Sequence, residues 1–311
     1  MNRKRIICIL LILSFIFSGC STKEEENITY RDATPHIYEP VASQEMVLGN
    51  EKVTIDISNT SQGYVMVNYT GYNPKVKIRI TNPNEDEPYT YDKHEGYETF
   101  PLTGGNGTYQ IQVYENVSDT KYTTLYSSTF DVTLENEFLP YLYPSQYVNY
   151  NADSDVVALG VELASTATSD LDVVSHVYEY LTQNIKYDDD KADQVKDGDL
   201  KGYVPNIDEI LEKKTGICFD YAALMATMLR TQDIPTRLQI GYALTKDNNN
   251  QGIYHAWVSV YLDEIGWVDG LIQFDGHSWK MMDPTFAAES NSKSTRDFIS
   301  NENNYQTKYN Y

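Results

Sequence analysis

The sequence predicts an α+β fold whose helices and antiparallel sheet lie in the C-terminal half, preceded by a small all-β sandwich. Three observations carry this. Residues 45–136 alternate apolar and polar with period two, the spacing of half-buried strands. Beyond about residue 165 the spacing turns helical, and period two returns only after Pro235. Helices in a block followed by strands in a block is the order of an α+β domain, not of a parallel sheet.

In the first block the strand signals are Val53, Ile55, Ile57, then Val65, Val67, Tyr69, then Val76, Ile78, Ile80, then Tyr109, Ile111, Val113. Turn chemistry separates them at Asn73 with Pro74, at Asn82 with Pro83, and in the run Gly104, Gly105, Asn106, Gly107. Seven or so short strands without a helix predict a sandwich. The many tyrosines read as half-buried strand residues in preference to a ligand-binding face. Residues 137–164 read as a connector and residues 165–311 as the second domain. There, Ser169 with Asp172 resembles a capping box, and Leu171, Val174, Val177, Tyr178, Leu181 and Ile185 form one apolar stripe. A short helix is expected at Ile207 to Lys213 and another from Cys218 to about Arg230. Strands follow at Arg237 to Leu244, Tyr254 to Leu262, Gly266 to Ile272 and Ser278 to Met282.

The chain has 311 residues and a formal charge of −21. A polyanion of this size repels nucleic acid and anionic headgroups, so no nucleic-acid partner is expected. Residues 1–20 read as an export signal, with Arg3, Lys4 and Arg5 ahead of an apolar run from Ile6 to Phe17 that is too short to span a bilayer comfortably. Ser18, Gly19 and Cys20 end that run and resemble the lipobox of bacterial lipoproteins, although Phe17 stands where leucine is usual. The resemblance implies lipidation of Cys20 and attachment to the extracytoplasmic face of the cell membrane. Residues 21–44, with Glu24, Glu25, Glu26, Pro35 and Pro40, are expected to be a flexible tether reaching roughly 80 Å when extended. Cys8 leaves with the leader and Cys20 is alkylated. Cys218 is then a lone thiol in an exported protein, with no disulfide partner.

Cys218 opens a helix, which puts its sulfur at the positive end of the helix dipole and favours a nucleophilic thiolate. His255 follows 37 positions later and Asp283 a further 28, supplying a base and an orienting carboxylate. The run Gly216, Ile217, Cys218, Phe219, Asp220, Tyr221, Ala222 is joined by Ile234, Pro235, Thr236, Arg237, by Gly241 and Tyr242, by His255, Ala256, Trp257, Val258, and by Asp283, Pro284, Thr285. In this order the pieces resemble the bacterial transglutaminase-like superfamily over about residues 165–288. The resemblance implies a papain-like core in which the cysteine helix packs on an antiparallel sheet carrying the histidine and the aspartate. It also implies a Cys218, His255, Asp283 triad acting on peptide or protein amides, cell-wall peptide included, by cross-linking or hydrolysis.

In that chemistry the imidazole takes the thiol proton, the thiolate attacks the amide carbonyl, and the imidazolium protonates the leaving amine. The backbone N–H of Cys218 is the expected oxyanion donor, with Tyr187 a weaker second. Asp269 and Asp275 rival Asp283. Asp220 is expected to pair with Arg237 in a structural role. The alternatives are a non-catalytic lipoprotein binding cell wall or protein through the same fold, and an acyltransferase using a thioester donor. Asp188, Asp189, Asp190, Asp197, Gly198 and Asp199 lack calcium-loop spacing and read as a solvated loop. Without a zinc spacing, phosphate loop or dinucleotide fingerprint, neither cofactor nor metal is expected. The loop from Lys246 to Gly252 is expected to shape substrate choice.

Overall fold

The computed structural model describes residues 28–85, 87–244, 252–263, 265–268, 271–274, 279–282 and 301–311, with the single residues 285, 288 and 293. Cys20 and the leader lie outside the described residues, as do Asp283, Asp269, Asp275 and all of the 246–252 loop except Gly252.

Eight strands build the first block: β1 (Val47–Gly49), β2 (Val53–Asp56), β3 (Tyr64–Tyr69), β4 (Val76–Thr81), β5 (Tyr89–Lys93), β6 (Glu98–Pro101), β7 (Gly107–Ser118) and β8 (Lys121–Val132). They form two four-stranded antiparallel sheets, ordered β1-β2-β3-β6 and β5-β4-β7-β8. Along β4 the alternation is clean: Val76, Ile78 and Ile80 are buried while Lys77 and Arg79 turn outward. These side chains join Ile55, Val65, Val67 and Phe100 of the other sheet in one apolar core, and Tyr91 meets Phe100 across the two sheets at 4.9 Å between ring centroids. Tyr91 and Tyr109 are thus fully buried core residues of their strands.

The second block comprises α1 (Asp155–Ala164), α2 (Asp170–Asn184), β9 (Lys186–Tyr187), α3 (Asp189–Asp197), α4 (Ile207–Lys213), β10 (Thr215–Gly216), α5 (Cys218–Arg230), β11 (Thr236–Ala243), β12 (Ile253–Leu262), β13 (Gly266–Val268), β14 (Leu271–Phe274), β15 (Trp279–Met282) and β16 (Tyr305–Asn310). The main sheet is antiparallel in the order β13-β12-β11-β16, and β14 pairs with β15 separately. The segment expected as one strand from Gly266 to Ile272 is therefore split between two sheets. Helix α5 packs against α1 and α2 and against β11 and β12, with eleven of its thirteen residues buried. Its run of Ala, Leu and Met favours helix on propensity, and an apolar surface all round demands burial on every side. Helix α2 starts as predicted, with the Ser169 hydroxyl accepting the Asp172 N–H at 3.1 Å.

Three boundary expectations are corrected. The connector assigned to residues 137–164 contains α1, whose Val156, Val157 and Ala164 are buried. Its cap, Ser154, makes no side-chain bond to the helix, so the sequence carries only a weak start signal. The acidic stretch from Asp188 to Asp199 is not a solvated loop but helix α3. The Asp188 carboxylate caps it by accepting the Lys191 N–H at 3.0 Å, and Gly198 closes it at φ +83°. Because α3 buries no residue, it leaves no apolar periodicity to read. The flexible tether expected over residues 21–44 is instead laid along the fold in its described part from Arg31 to Gln44. The Arg31 N–H donates to the Ala167 carbonyl at 2.8 Å and the His36 N–H to the Thr231 carbonyl at 2.9 Å. The Val41 N–H reaches the Tyr64 hydroxyl at 3.1 Å, and the Gln44 N–H reaches Asp56 at 2.6 Å.

At the C-terminal end of α5 the Arg230 guanidinium is wholly buried. It donates twice to the Thr236 carbonyl (3.0 and 2.8 Å), once to the Tyr143 carbonyl (2.9 Å) and once to the main-chain oxygen of Tyr311 (2.8 Å). Burial pulls its pKa down to about 10, still charged at neutral pH. Replacing it with an apolar side chain strands carbonyls from three segments. Arg230→Met is therefore expected to cost about 3 kcal/mol or more. Urea unfolding measures this, and a loss under about 1 kcal/mol would show that the cluster contributes little.

Candidate active site

The site begins with two short strands. β9 pairs in parallel with β10, setting Gly216 beside Tyr187 and delivering the chain to Ile217, the extended residue ahead of α5. Cys218 is the first helical residue, so its N–H has no acceptor within the helix. Its thiol is free and half-buried.

Two residues on is Asp220, fully buried. Its carboxylate accepts the Ile217 N–H at 2.9 Å, the Lys191 ammonium at 2.6 Å and the Tyr203 hydroxyl at 2.6 Å. The expected pairing of Asp220 with Arg237 is not what the fold makes. The Arg237 guanidinium lies 3.5 Å from the Trp267 ring centroid and 4.9 Å from that of Tyr141. The reason is helix length: Arg237 enters the sheet next to Thr236, which Arg230 binds, whereas Asp220 sits about 15 Å away at the opposite end of α5.

His255 lies on β12 with Gly241 of β11 opposite it, and the imidazole is 5% exposed. A Cβ at Gly241 would fall 2.0 Å from the Gln306 carbonyl oxygen, so glycine is what lets β16 approach here, at a register shift between Ile240 and Gly241. The imidazole stacks near Trp257 at 6.1 Å, with the Tyr305 ring at 6.5 Å.

Cys218 and His255, far apart in sequence, line one cleft of about 460 Å³. The third predicted member, Asp283, and its rivals Asp269 and Asp275 fall outside the described residues. Tyr187 stands across the strand pairing from Gly216, two positions before the thiol. Sequence reasoning missed the rest of the cleft wall. Thr90 and Asp92 come from β5 of the sandwich, Lys201 to Tyr203 from the loop after α3, and Tyr309 and Tyr311 from the far end of the chain. Tyr147 of the connector stacks edgewise on Phe219 at 5.1 Å and on Tyr311 at 4.8 Å. Burial, aided by Asp92 beside Tyr147 and by Asp220 beside Tyr203, raises the pKa of both phenols, and burial does the same for Tyr311. All three therefore meet a ligand as neutral hydroxyls at physiological pH. Local patterning could not have announced these residues, because tyrosine in a strand usually packs.

Comparison with known proteins adds the family. Residues 157–269 match the family model described as the transglutaminase-like superfamily. A protein of Methanocaldococcus jannaschii, UPF0252 protein MJ1282, is 24% identical over 68% of this chain and 62% of its own length. The uncharacterized protein YebA of Bacillus subtilis is 32% identical over 30% of this chain and 13% of its own length. The chain thus spans less than two thirds of either relative. Among solved structures, a provisionally named cysteine protease from Cytophaga hutchinsonii aligns over 86% of this chain and 73% of its own, at 16% identity and a TM-score of 0.39. Red sea bream transglutaminase aligns over 71% and 48%, at 13% identity and a TM-score of 0.31. Superpositions this loose carry no argument about chemistry. Over residues 157–269, which run from α1 to the end of β13 and include Cys218 and His255, this chain is similar to the transglutaminase-like superfamily.

Proposed function

We propose that this protein is a thiol enzyme acting on peptide or protein amides, with Cys218 as nucleophile, His255 as base and Asp283 as the carboxylate that orients the imidazole. The observation that carries this reading is the shared cleft: a half-buried thiol at the start of a buried helix and a buried imidazole on the neighbouring strand line the same cavity.

In the proposed reaction His255 takes the Cys218 proton as sulfur bonds to the amide carbonyl carbon. The Cys218 N–H donates to the resulting oxyanion. The tetrahedral adduct then collapses, the C–N bond breaks, and the imidazolium protonates the departing amine. The thioester left on Cys218 passes its acyl group to water or to a second amine, which regenerates the thiol. Attachment to a membrane through a lipid on Cys20, at the extracytoplasmic face, belongs to the same proposal.

Labelling with an iodoacetamide probe across pH tests the nucleophile. Cys218 is expected to alkylate near neutral pH at least about tenfold faster than a free model thiol, and His255→Ala to remove that advantage. Equal rates, unchanged in the variant, would count for a binding module instead. Incubating a glutamine-containing protein with a labelled amine, and assaying new termini alongside, then separates cross-linking from hydrolysis. Cys218→Ala abolishes whichever activity is found.

The buried carboxylate beside the thiol gives a second expectation. Lys191→Met removes the ammonium from Asp220 and is expected to cost about 2–4 kcal/mol in urea unfolding, because a buried charge loses its counter-ion. It is also expected to slow Cys218 alkylation, with Lys191→Arg restoring most of both. Alkylation unaffected by Lys191→Met would show that the pair supports the fold alone.

A further inference from the structure

A second cavity, of about 700 Å³, continues from the thiol cleft: Asp92, Lys201 and Gly202 line both. The seam between them is tight. Gly202 sits at φ +73°, and a Cβ there would lie 2.8 Å from the Asp92 carboxylate. Glycine at this point lets the loop after α3 meet strand β5 without a side chain obstructing the passage.

The second cavity is lined by four lysines, Lys75, Lys77, Lys93 and Lys201, against two aspartates, Asp92 and Asp119. Two of these cations are already engaged. Lys77 pairs with Asp92 at 2.7 Å, and the buried Lys93 pairs with Glu98 at 2.9 Å and donates to the carbonyls of His94 and Gly96. Lys75 and Lys201 are exposed and have no carboxylate within ion-pair distance among the described residues. His94, also on the lining, is bound to Glu98 at 2.9 Å. The charges left to act on a ligand are two ammonium groups and the Asp119 carboxylate. In a chain of net charge −21, this cavity beside the thiol cleft carries two unpaired positive charges against one negative.

We infer that this groove receives an acidic peptide segment of the amide substrate, its carboxylates facing Lys201 at the junction and Lys75 farther along. The inference deepens the thiol-enzyme reading and rests on it for the word substrate; the binding site itself does not need catalysis. The protein's own acidity gives the groove its value, because the net charge repels such a segment and the two unpaired lysines oppose that repulsion.

The test uses two acyl-donor peptides with the same reactive residue, one flanked by glutamates and one by glutamines. The glutamate peptide is expected to have a kcat/KM higher by at least about fivefold at low salt, with the preference shrinking near 0.5 M salt. Lys75→Glu with Lys201→Glu abolishes the preference, while Asp119→Asn enlarges it. Equal turnover of the two peptides, or a preference that survives the double reversal, overturns the inference. If neither peptide is turned over, the enzymatic reading fails, and fluorescence anisotropy decides the groove separately. Cys218→Ala binds a labelled hexaglutamate peptide and loses it on the double reversal if the inference holds. Absence of binding, or binding of polyphosphate but not of hexaglutamate, overturns it.

Discussion

Burial of α5 from end to end is the constraint around which this molecule is arranged. A helix that is apolar on every face has no side to give to water, so α1 and α2 must cover one flank and the β11–β12 sheet the other. The cost falls at its two ends, where helix termini leave backbone groups unpaired and where the helix carries its two buried charges. Asp220 at the start and Arg230 at the end are both fully buried, and each is held by partners from distant parts of the chain. Arg230 gathers the connector, the start of β11 and the last residue. Asp220 gathers α3 and the loop that follows it.

The site inherits its geometry from this arrangement. Because Asp220 ties down the Ile217 N–H, the backbone entering α5 is held where Cys218 begins the helix, and the thiol emerges half-buried at the one end facing the cleft. The sheet packed against α5 brings His255 to the same cavity. The same Asp220 partners, Lys191 and Tyr203, bracket the loop whose Lys201 and Gly202 wall the cleft, so wall and thiol share one anchor. A binding surface assembled from the sandwich, the loop after α3 and the final strand is thereby fastened to the reactive helix. The sandwich contributes Thr90 and Asp92 to the cleft, and is more than a spacer.

What was legible beforehand follows how local each signal is. Helices α4 and α5 match their expected bounds, and α2 starts at its expected cap, because capping residues and apolar stripes act within a few positions. Helix α1 was hidden in the connector for want of a capping bond, and α3 was taken for a loop because no face of it is buried. The segment from Arg31 to Gln44 looked like a tether since its polar and proline-rich composition resembles linkers. Its partners, Ala167, Thr231, Tyr64 and Asp56, lie far along the chain and leave no trace in its own sequence. The error on Asp220 and Arg237 has the same origin: opposite charges invite pairing on paper, but the length of α5 keeps them apart.

The amino-acid order alone determined the layers of the fold, the helix that begins at Cys218 and the strand that carries His255, since these depend on periodicity, propensity and capping over a turn or two of chain. Tertiary structure alone decided that the two share a cleft with Thr90, Asp92, Tyr147 and Tyr311, and that Asp220 answers to Lys191 and Tyr203. Those contacts are chosen by the burial of α5 against everything around it, a condition satisfied only when the whole chain has packed.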